Sequence, residues 1–229
     1  MHQFSVSITP AEMFPPKPII PKPIILEAEI MVTKSAAKQD TKIALLETGM
    51  DIMLEKGYTN TGIQEILTAL RVPKGSFYHY FDSKENYAAE IIKHYDQAYS
   101  ANLIRTLRNP KETPVQRLRA YCQTSKENLE MRQCSKGCLI GNLSQEMSDQ
   151  SELLRTELST VITKWRDMFS SCIEEGQSAG EIRNTVSAEQ LAEFFLSGWS
   201  GAVMRAKTLK NSEPMQTFID LMFEQVLKP

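Results

Sequence analysis

The sequence predicts an all-α protein of about nine helices, on three observations. Apolar residues recur at helical spacing through most of the chain, no stretch alternates with the period of a strand, and no internal repeat appears. Gly57, Pro73, Pro110, Pro114, Gly180 and Pro214 punctuate the periodic stretches where helices would stop or start.

Taken in order, the chain opens on a proline-rich segment. Residues 10–23 hold six of the eleven prolines, a density that favours extended polyproline backbone over helix. Residues 1–37 are therefore expected to be a disordered tail. Met31-Val32-Thr33-Lys34 resembles an ordinary beginning, so residues 1–30 are expected to be an upstream extension.

From 42 to 56, Ala44, Leu45, Thr48, Ile52 and Met53 form a helical stripe that Gly57 closes. Thr61 is the expected cap of a helix over 63–70, whose Ile63, Ile66, Leu67 and Leu70 share a face. After Val72-Pro73 a second short helix is expected over 74–81, and Asp82 with Glu85 has the spacing of a capping box for a helix over 83–108. Thr113-Pro114 starts a helix running to 131, and 133–141 reads as a break. A long helix is expected over 151–178, with Leu153, Leu158, Val161, Ile162, Trp165, Phe169 and Ile173 inward. Helices over 187–209 and 214–227 follow.

Composition bounds the function classes. At 229 residues with 41% apolar and 24% charged residues, the chain has room for a real core, as one large domain or two small ones. Net charge is −2, and residues 31–85 carry seven Lys/Arg against seven Asp/Glu, so attraction to phosphate must come from local placement of a few cations. Cys122, Cys134, Cys138 and Cys172 have neither disulfide-scaffold nor zinc-ligand spacing, which points to a reduced, cytoplasmic location and no metal. No run of about 18 apolar residues suggests a membrane span. Neither an acid–base pair nor a cofactor loop stands out, so no cofactor and no enzymatic activity are expected.

Residues 63–81 read as a helix-turn-helix. Phe77 and Phe81, at i and i+4, would pack inward with Val72 and Ile66, leaving Lys74, Gly75, Tyr78 and His79 on the opposite face. Gly75 allows close backbone approach, Lys74 and Lys84 supply phosphate contacts, and Tyr78 and His79 can read bases or grip the backbone. The full stretch Thr61…Ile66…Val72-Pro73-Lys74-Gly75-Ser76-Phe77-Tyr78-His79-Tyr80-Phe81-Asp82-Ser83-Lys84-Glu85 resembles the DNA-binding domain of TetR-family transcriptional regulators. On that resemblance Thr61, Lys74, Gly75, Ser76, Tyr78, His79 and Lys84 are the expected contacts to a double-stranded operator. The DNA-binding domain is set at 38–85 and an effector-binding and dimerisation domain at 86–229. Arg71 departs from the family, whose members often carry glycine there; a positive φ at that turn would strain it.

The resemblance also implies a homodimer formed by the last two long helices. Leu191, Phe194, Phe195, Leu196, Trp199, Ala202 and Val203 offer an apolar surface, with Gly198 and Gly201 permitting close approach; Phe218, Leu221, Met222 and Val226 offer a second stripe. The segments 137–147 and 198–207 resemble those of NemR- and AcuR-like regulators, which sense reactive electrophiles and oxidants or control acrylate metabolism. In the electrophile sensors a cysteine and a late lysine lie together; these map to Cys138 and Lys207. An ammonium beside a cysteine lowers its pKa and favours the attacking thiolate, and Cys134 could trap an oxidised sulfur. A reversible small-molecule effector is the alternative, with Asn142, Trp165, Trp199 or Arg205 lining its pocket. A cysteine-dependent enzyme and a helical adaptor without DNA binding are the readings from other classes.

Overall fold

The computed structural model describes residues 27–229, with side chains from Asp40 onward. Most of the expected tail, residues 1–26, lies outside the described residues. Among the described residues there are nine α-helices: α1 Glu27–Lys56, α2 Ile63–Leu70, α3 Lys74–Tyr80, α4 Lys84–Leu107, α5 Pro114–Met131, α6 Leu139–Met147, α7 Glu152–Ser178, α8 Ala188–Leu209 and α9 Glu213–Leu221, with a π-helical turn over Met222–Val226. None of the described helices is long and apolar enough to cross a membrane.

The helix ends follow local chemistry, with some changes from the expected caps. α1 begins well before the stripe at 42; the sequence from Glu27 to Lys56 contains no proline to stop it. Gly57 ends α1 at φ +81, its N–H donating to Met53 O at 2.9 Å. Thr61 does not cap α2. Its hydroxyl donates to Gly57 O at 2.6 Å, and the N-cap is Gly62 without a side-chain bond. Ser83, not Asp82, caps α4, accepting from Asn86 N at 3.0 Å. Thr113 and Gln116 form a complete capping box at the start of α5, as the Thr-Pro signal indicates. The stretch read as a break contains the start of α6: Cys138 is its N-cap.

Tyr87, Phe77 and Phe81 fill the helix-turn-helix end of the core, their rings meeting at centroid distances of 4.7–5.2 Å. Burying such rings against Leu45, Met53, Ile66 and Leu67 lets the two short helices α2 and α3, which could not be stable alone, hold to α1 and α4. In the larger part, α7 packs on α4, α5, α6 and α8, and α8 packs on α9. Leu158, Val161, Trp165, Phe169 and Ile173 of α7 face inward as predicted. Leu153 and Ile162 do not; Leu154 takes the inward register at the helix start.

Candidate DNA-binding face and sensor cluster

α3 divides as its sequence suggests. Phe77 is fully buried while Tyr78 is 50% exposed, and Lys74, Gly75 and His79 are exposed beside it. Pro73 sets the backbone at φ −64 and ψ 152 before the first turn, and Ser76 N–H closes onto Pro73 O at 2.9 Å. A cleft of about 460 Å³ runs between this helix and the start of α2, lined by Gly62, Ile63, Gln64, Lys74, Tyr78 and Lys84. The start of α2 at this cleft has no side-chain cap, and two lysines, Lys74 and Lys84, stand in its lining. Lys84 is half-committed to the fold: its Nζ donates to Thr59 O at 3.3 Å and lies 4.4 Å from the Tyr58 ring centre. Burial lowers its pKa, against the pull of Glu146. Thr61 lines the cleft but is 1% exposed, so its side chain serves the turn.

The turn between α2 and α3 has the geometry that the Arg71 departure puts in question. Arg71 stands at φ 56 and ψ 38, left-handed backbone that costs a non-glycine residue about 1–2 kcal/mol. Its amide and that of Val72 still close on Thr68 O and Leu67 O, so the turn keeps its bonds and carries the strain.

Lys207 borders Gly137, the residue before Cys138. A Cβ placed on Gly137 would lie 3.4 Å from Lys207 Cδ and 3.6 Å from Asn142 Oδ1, so both side chains border the residue before the cysteine. Asn142 Nδ2 donates to Lys136 O at 2.8 Å, tying the loop to the first turn of α6. That loop is tightly wound, with Gln133, Cys134, Lys136 and Gly137 all at positive φ. The thiol of Cys138 is 4.0 Å from the Tyr95 hydroxyl. Behind it lie Tyr99 and Tyr121, their hydroxyls 2.7 Å apart, and Trp165, whose ring centre is 4.2 Å from that of Tyr99.

The expected depressed thiol is not found. Burial raises the Cys138 pKa, and the Gly141 amide, the Tyr95 hydroxyl and the Ile140 amide only partly offset it; Lys207 is not among the causes. The other buried thiols are more extreme: burial pushes Cys172 up to about 12 and Cys122 higher. Cys134 is buried, with its carbonyl accepting from Lys210 Nζ at 3.4 Å. Of the other expected pocket residues, Trp165 is buried with Nε1 donating to Asp96 Oδ1 at 2.8 Å, Trp199 is buried against Tyr121 and Phe218, and Arg205 is exposed. Tyr95, Tyr99 and Asp96 are site residues that the sequence reasoning missed. The i, i+4 tyrosine pair on α4 was the available signal. No group of three or more His, Cys, Asp or Glu side chains among the described residues could hold a metal.

The α8–α9 surface sorts into two sets. Leu191, Phe195, Trp199 and Ala202 fill this chain's own core, whereas Phe194, Met204 and Leu221 are each 57% exposed. Gly198 admits the chain's own Phe218, which would lie 2.7 Å from an added Cβ; Gly201 faces open space.

Comparison with known proteins agrees with this architecture. The model of bacterial regulatory proteins of the tetR family matches residues 45–91, and that of the tetracyclin repressor-like C-terminal domain matches 114–222. The chain is 37% identical over 191 residues to the HTH-type transcriptional repressor DhaR of Mycobacterium sp. (strain GP1), covering 83% of this chain and 94% of DhaR. It is 31% identical over 179 residues to the HTH-type transcriptional repressor NemR of Escherichia coli (strain K12), covering 78% of this chain and 90% of NemR. The crystal structure of E. coli NemR in its reduced form superposes with a TM-score of 0.75 at 30% identity, over 83% of this chain and 98% of that one. With its helix-turn-helix, its all-helical C-terminal domain and relatives that span nearly their whole length, the chain belongs to the TetR family of transcriptional regulators.

Proposed function

We propose that the protein is a homodimeric repressor that binds a palindromic operator and lets go when a small electrophile or oxidant reacts at Cys138. The DNA-binding part rests on one observation: α3 and its C-cap bury Phe77 and Phe81 while α3 presents Lys74, Gly75, Tyr78 and His79, with Ser76, Thr61 and Lys84 supporting that face. Recognition helices of such dimers enter successive major grooves about 34–36 Å apart, so binding depends on the spacing of two copies. The exposed Phe194, Met204 and Leu221, with open space at Gly201, supply an apolar face for a second copy. Repression is supported by the relatives named as repressors.

The sensor part is carried by the position of Cys138, at the N-cap of α6 with Lys207 beside Gly137 and the Tyr95 hydroxyl at 4.0 Å. With a quinone or aldehyde the sulfur adds to carbon, opening the C=C or C=O π bond, and the thiol proton ends on the electrophile. With hypochlorite the O–Cl bond breaks, sulfur gains oxygen, and chlorine takes the two electrons and leaves as chloride. Either product enlarges a side chain wedged between α6 and the α4 tyrosines. A shift in operator affinity needs only that the adduct fit the two states unequally; a hundredfold release corresponds to about 2.7 kcal/mol. Reversible binding is the second reading, favoured by the hydroxyl-rich aromatic cluster of Tyr95, Tyr99 and Tyr121.

Replacing Cys138 by serine tests both. The variant should bind operator like the parent in a gel shift, yet lose release by quinones, aldehydes or hypochlorite. Release equal to that of the parent, without a mass increase at residue 138, would transfer the role to the aromatic cluster of Tyr95, Tyr99 and Tyr121.

A further inference from the structure

We infer that Arg71 is a phosphate anchor, a cation held in the turn before α3 to grip the DNA backbone beside the recognition face. The need for one follows from charge. Residues 40–85 carry five Lys/Arg against seven Asp/Glu, so attraction to a polyanion depends on which cations are free to face it. Most of the five are already engaged. Lys42 pairs with Glu90 at 2.8 Å, and Lys56 pairs with Glu65. Lys84 gives its ammonium to Thr59 O and the Tyr58 ring. Lys74 and Arg71 remain, three residues apart around the start of α3. Lys74 stands 6.0 Å from the Tyr78 ring centre. Arg71 is exposed, and among the described residues its side chain has neither an ion pair nor a hydrogen bond.

The backbone at Arg71 holds that cation in place against a cost. It stands at φ 56 and ψ 38, left-handed backbone that glycine occupies without strain and a long L side chain does not. Nothing inside the fold needs an arginine there, so the strain is explained by what the side chain touches outside the molecule. The turn is also rigid. The Arg71 and Val72 amides close on Thr68 O and Leu67 O at 3.2 and 3.1 Å, and Pro73 is fixed at φ −64. A guanidinium on such a base has little backbone freedom to lose on binding. Position decides what it meets. A helix in the major groove offers its own first residues to base edges, and Arg71 lies outside the helix, two residues before the N-cap Pro73. It therefore meets the strand at the groove's edge, where a planar guanidinium can take two phosphate oxygens at once.

The inference rests on the DNA-binding reading, and the test separates the two. The full chain is used as parent, Arg71→Gly, Arg71→Asn, Arg71→Lys and Lys56→Gln. Fluorescence anisotropy follows binding to a palindromic duplex selected from a random-sequence pool and to an unrelated duplex, at about 50–200 mM KCl. Glycine and asparagine both accept left-handed backbone but carry no charge. Each phosphate contact contributes about 0.9 to the slope of log affinity against log salt. A dimer that loses two should bind both duplexes more weakly, with a slope shallower by about two, and the parent's advantage should shrink about tenfold across that salt range. Arg71→Lys should keep the slope, and Lys56→Gln, whose charge is matched by Glu65, should behave like the parent. Arg71→Gly and Arg71→Asn should melt no lower than the parent. Unchanged slopes in these two variants overturn the inference. So does weakening confined to the selected duplex, which would make Arg71 a base reader. Weakening with a lower melting temperature at an unchanged slope would make it a support of the turn and overturns the inference too. An equal slope change in Lys56→Gln does the same, since bulk charge would then account for the effect. A parent that binds neither duplex at the lowest salt sinks the DNA-binding reading, and the inference with it.

Discussion

Two short helices of this protein, α3 and α6, begin alike and end differently. Each follows a residue that gives no side-chain cap, Pro73 for one and Cys138 for the other. α3 turns its first residues to solvent, while α6 packs its own against α4 and α7. An uncapped helix start in the open can take an anion from outside; one enclosed by tyrosines is closed to it, and its Ile140 and Gly141 amides act on the Cys138 thiol instead, pulling its pKa down against burial. Similar local chemistry becomes a binding face in one place and an internal sensor candidate in the other, by burial alone.

The largest expected effect tests the division within α3. Phe77→Ala removes a fully buried ring in contact with Tyr78, Phe81 and Tyr87 and should cost about 3–5 kcal/mol of stability. Tyr78→Ala, one residue on, should change stability by less than about 0.5 kcal/mol yet weaken operator binding by about 1–3 kcal/mol. Thermal melts and gel shifts on the pair check this. If Tyr78→Ala melts as low as Phe77→Ala, the exposed face is part of the core and the contrast with α6 collapses.

The second test concerns the enclosed helix. A thiol whose pKa is raised by burial is mostly protonated at neutral pH, and its thiolate fraction grows with pH until the raised pKa is passed. Alkylation of Cys138 by iodoacetamide, followed by peptide mass, should therefore accelerate by about tenfold per pH unit through the neutral range, without a plateau by about pH 8. A plateau at or below neutrality would mean that Lys207 or the α6 amides win over burial after all. Cys122 and Cys172, more deeply buried, should stay unmodified and serve as internal references.

The same contrast explains what could be read from the sequence. α3 and its face are written in consecutive residues: the i, i+4 phenylalanines give the buried side and Pro73 gives the start. The cap of α5 is equally local, and Thr113-Pro114 was enough to place it. Thr61 misled because its hydroxyl is drawn to Gly57 O, a bond made across a turn and not within a helix. Leu153 and Ile162 misled because a long helix with apolar residues on more than one face has no unique inward register until α4 and α8 are in place. The surroundings of Cys138 draw on residues as far apart as Asp51, Tyr95 and Lys207, and resemblance alone suggested pairing Cys138 with Lys207.

The smallest expected effect compares two left-handed residues, one in each region. Arg71, in the turn before α3, and Lys210, which ends α8 beside the loop that precedes Cys138, both stand at φ 56. Glycine at either position removes a strain of about 1–2 kcal/mol and adds back about 0.5–1 kcal/mol of unfolded-chain entropy. Arg71→Gly should therefore gain up to about 1 kcal/mol, a rise in Tm of about 1–4 °C for a chain of this size. Lys210→Gly gains the same backbone relief but loses the ammonium bond to Cys134 O, worth about 1.5–3 kcal/mol when charged. It should be neutral or mildly destabilising and should loosen the wound loop ahead of Cys138. Calorimetry on the two variants gives opposite signs if strain in the helix-turn-helix is uncompensated and strain at the end of α8 is held by a side chain. Equal gains would show that the Lys210 bond contributes nothing, and that the two regions carry their strained turns in the same way.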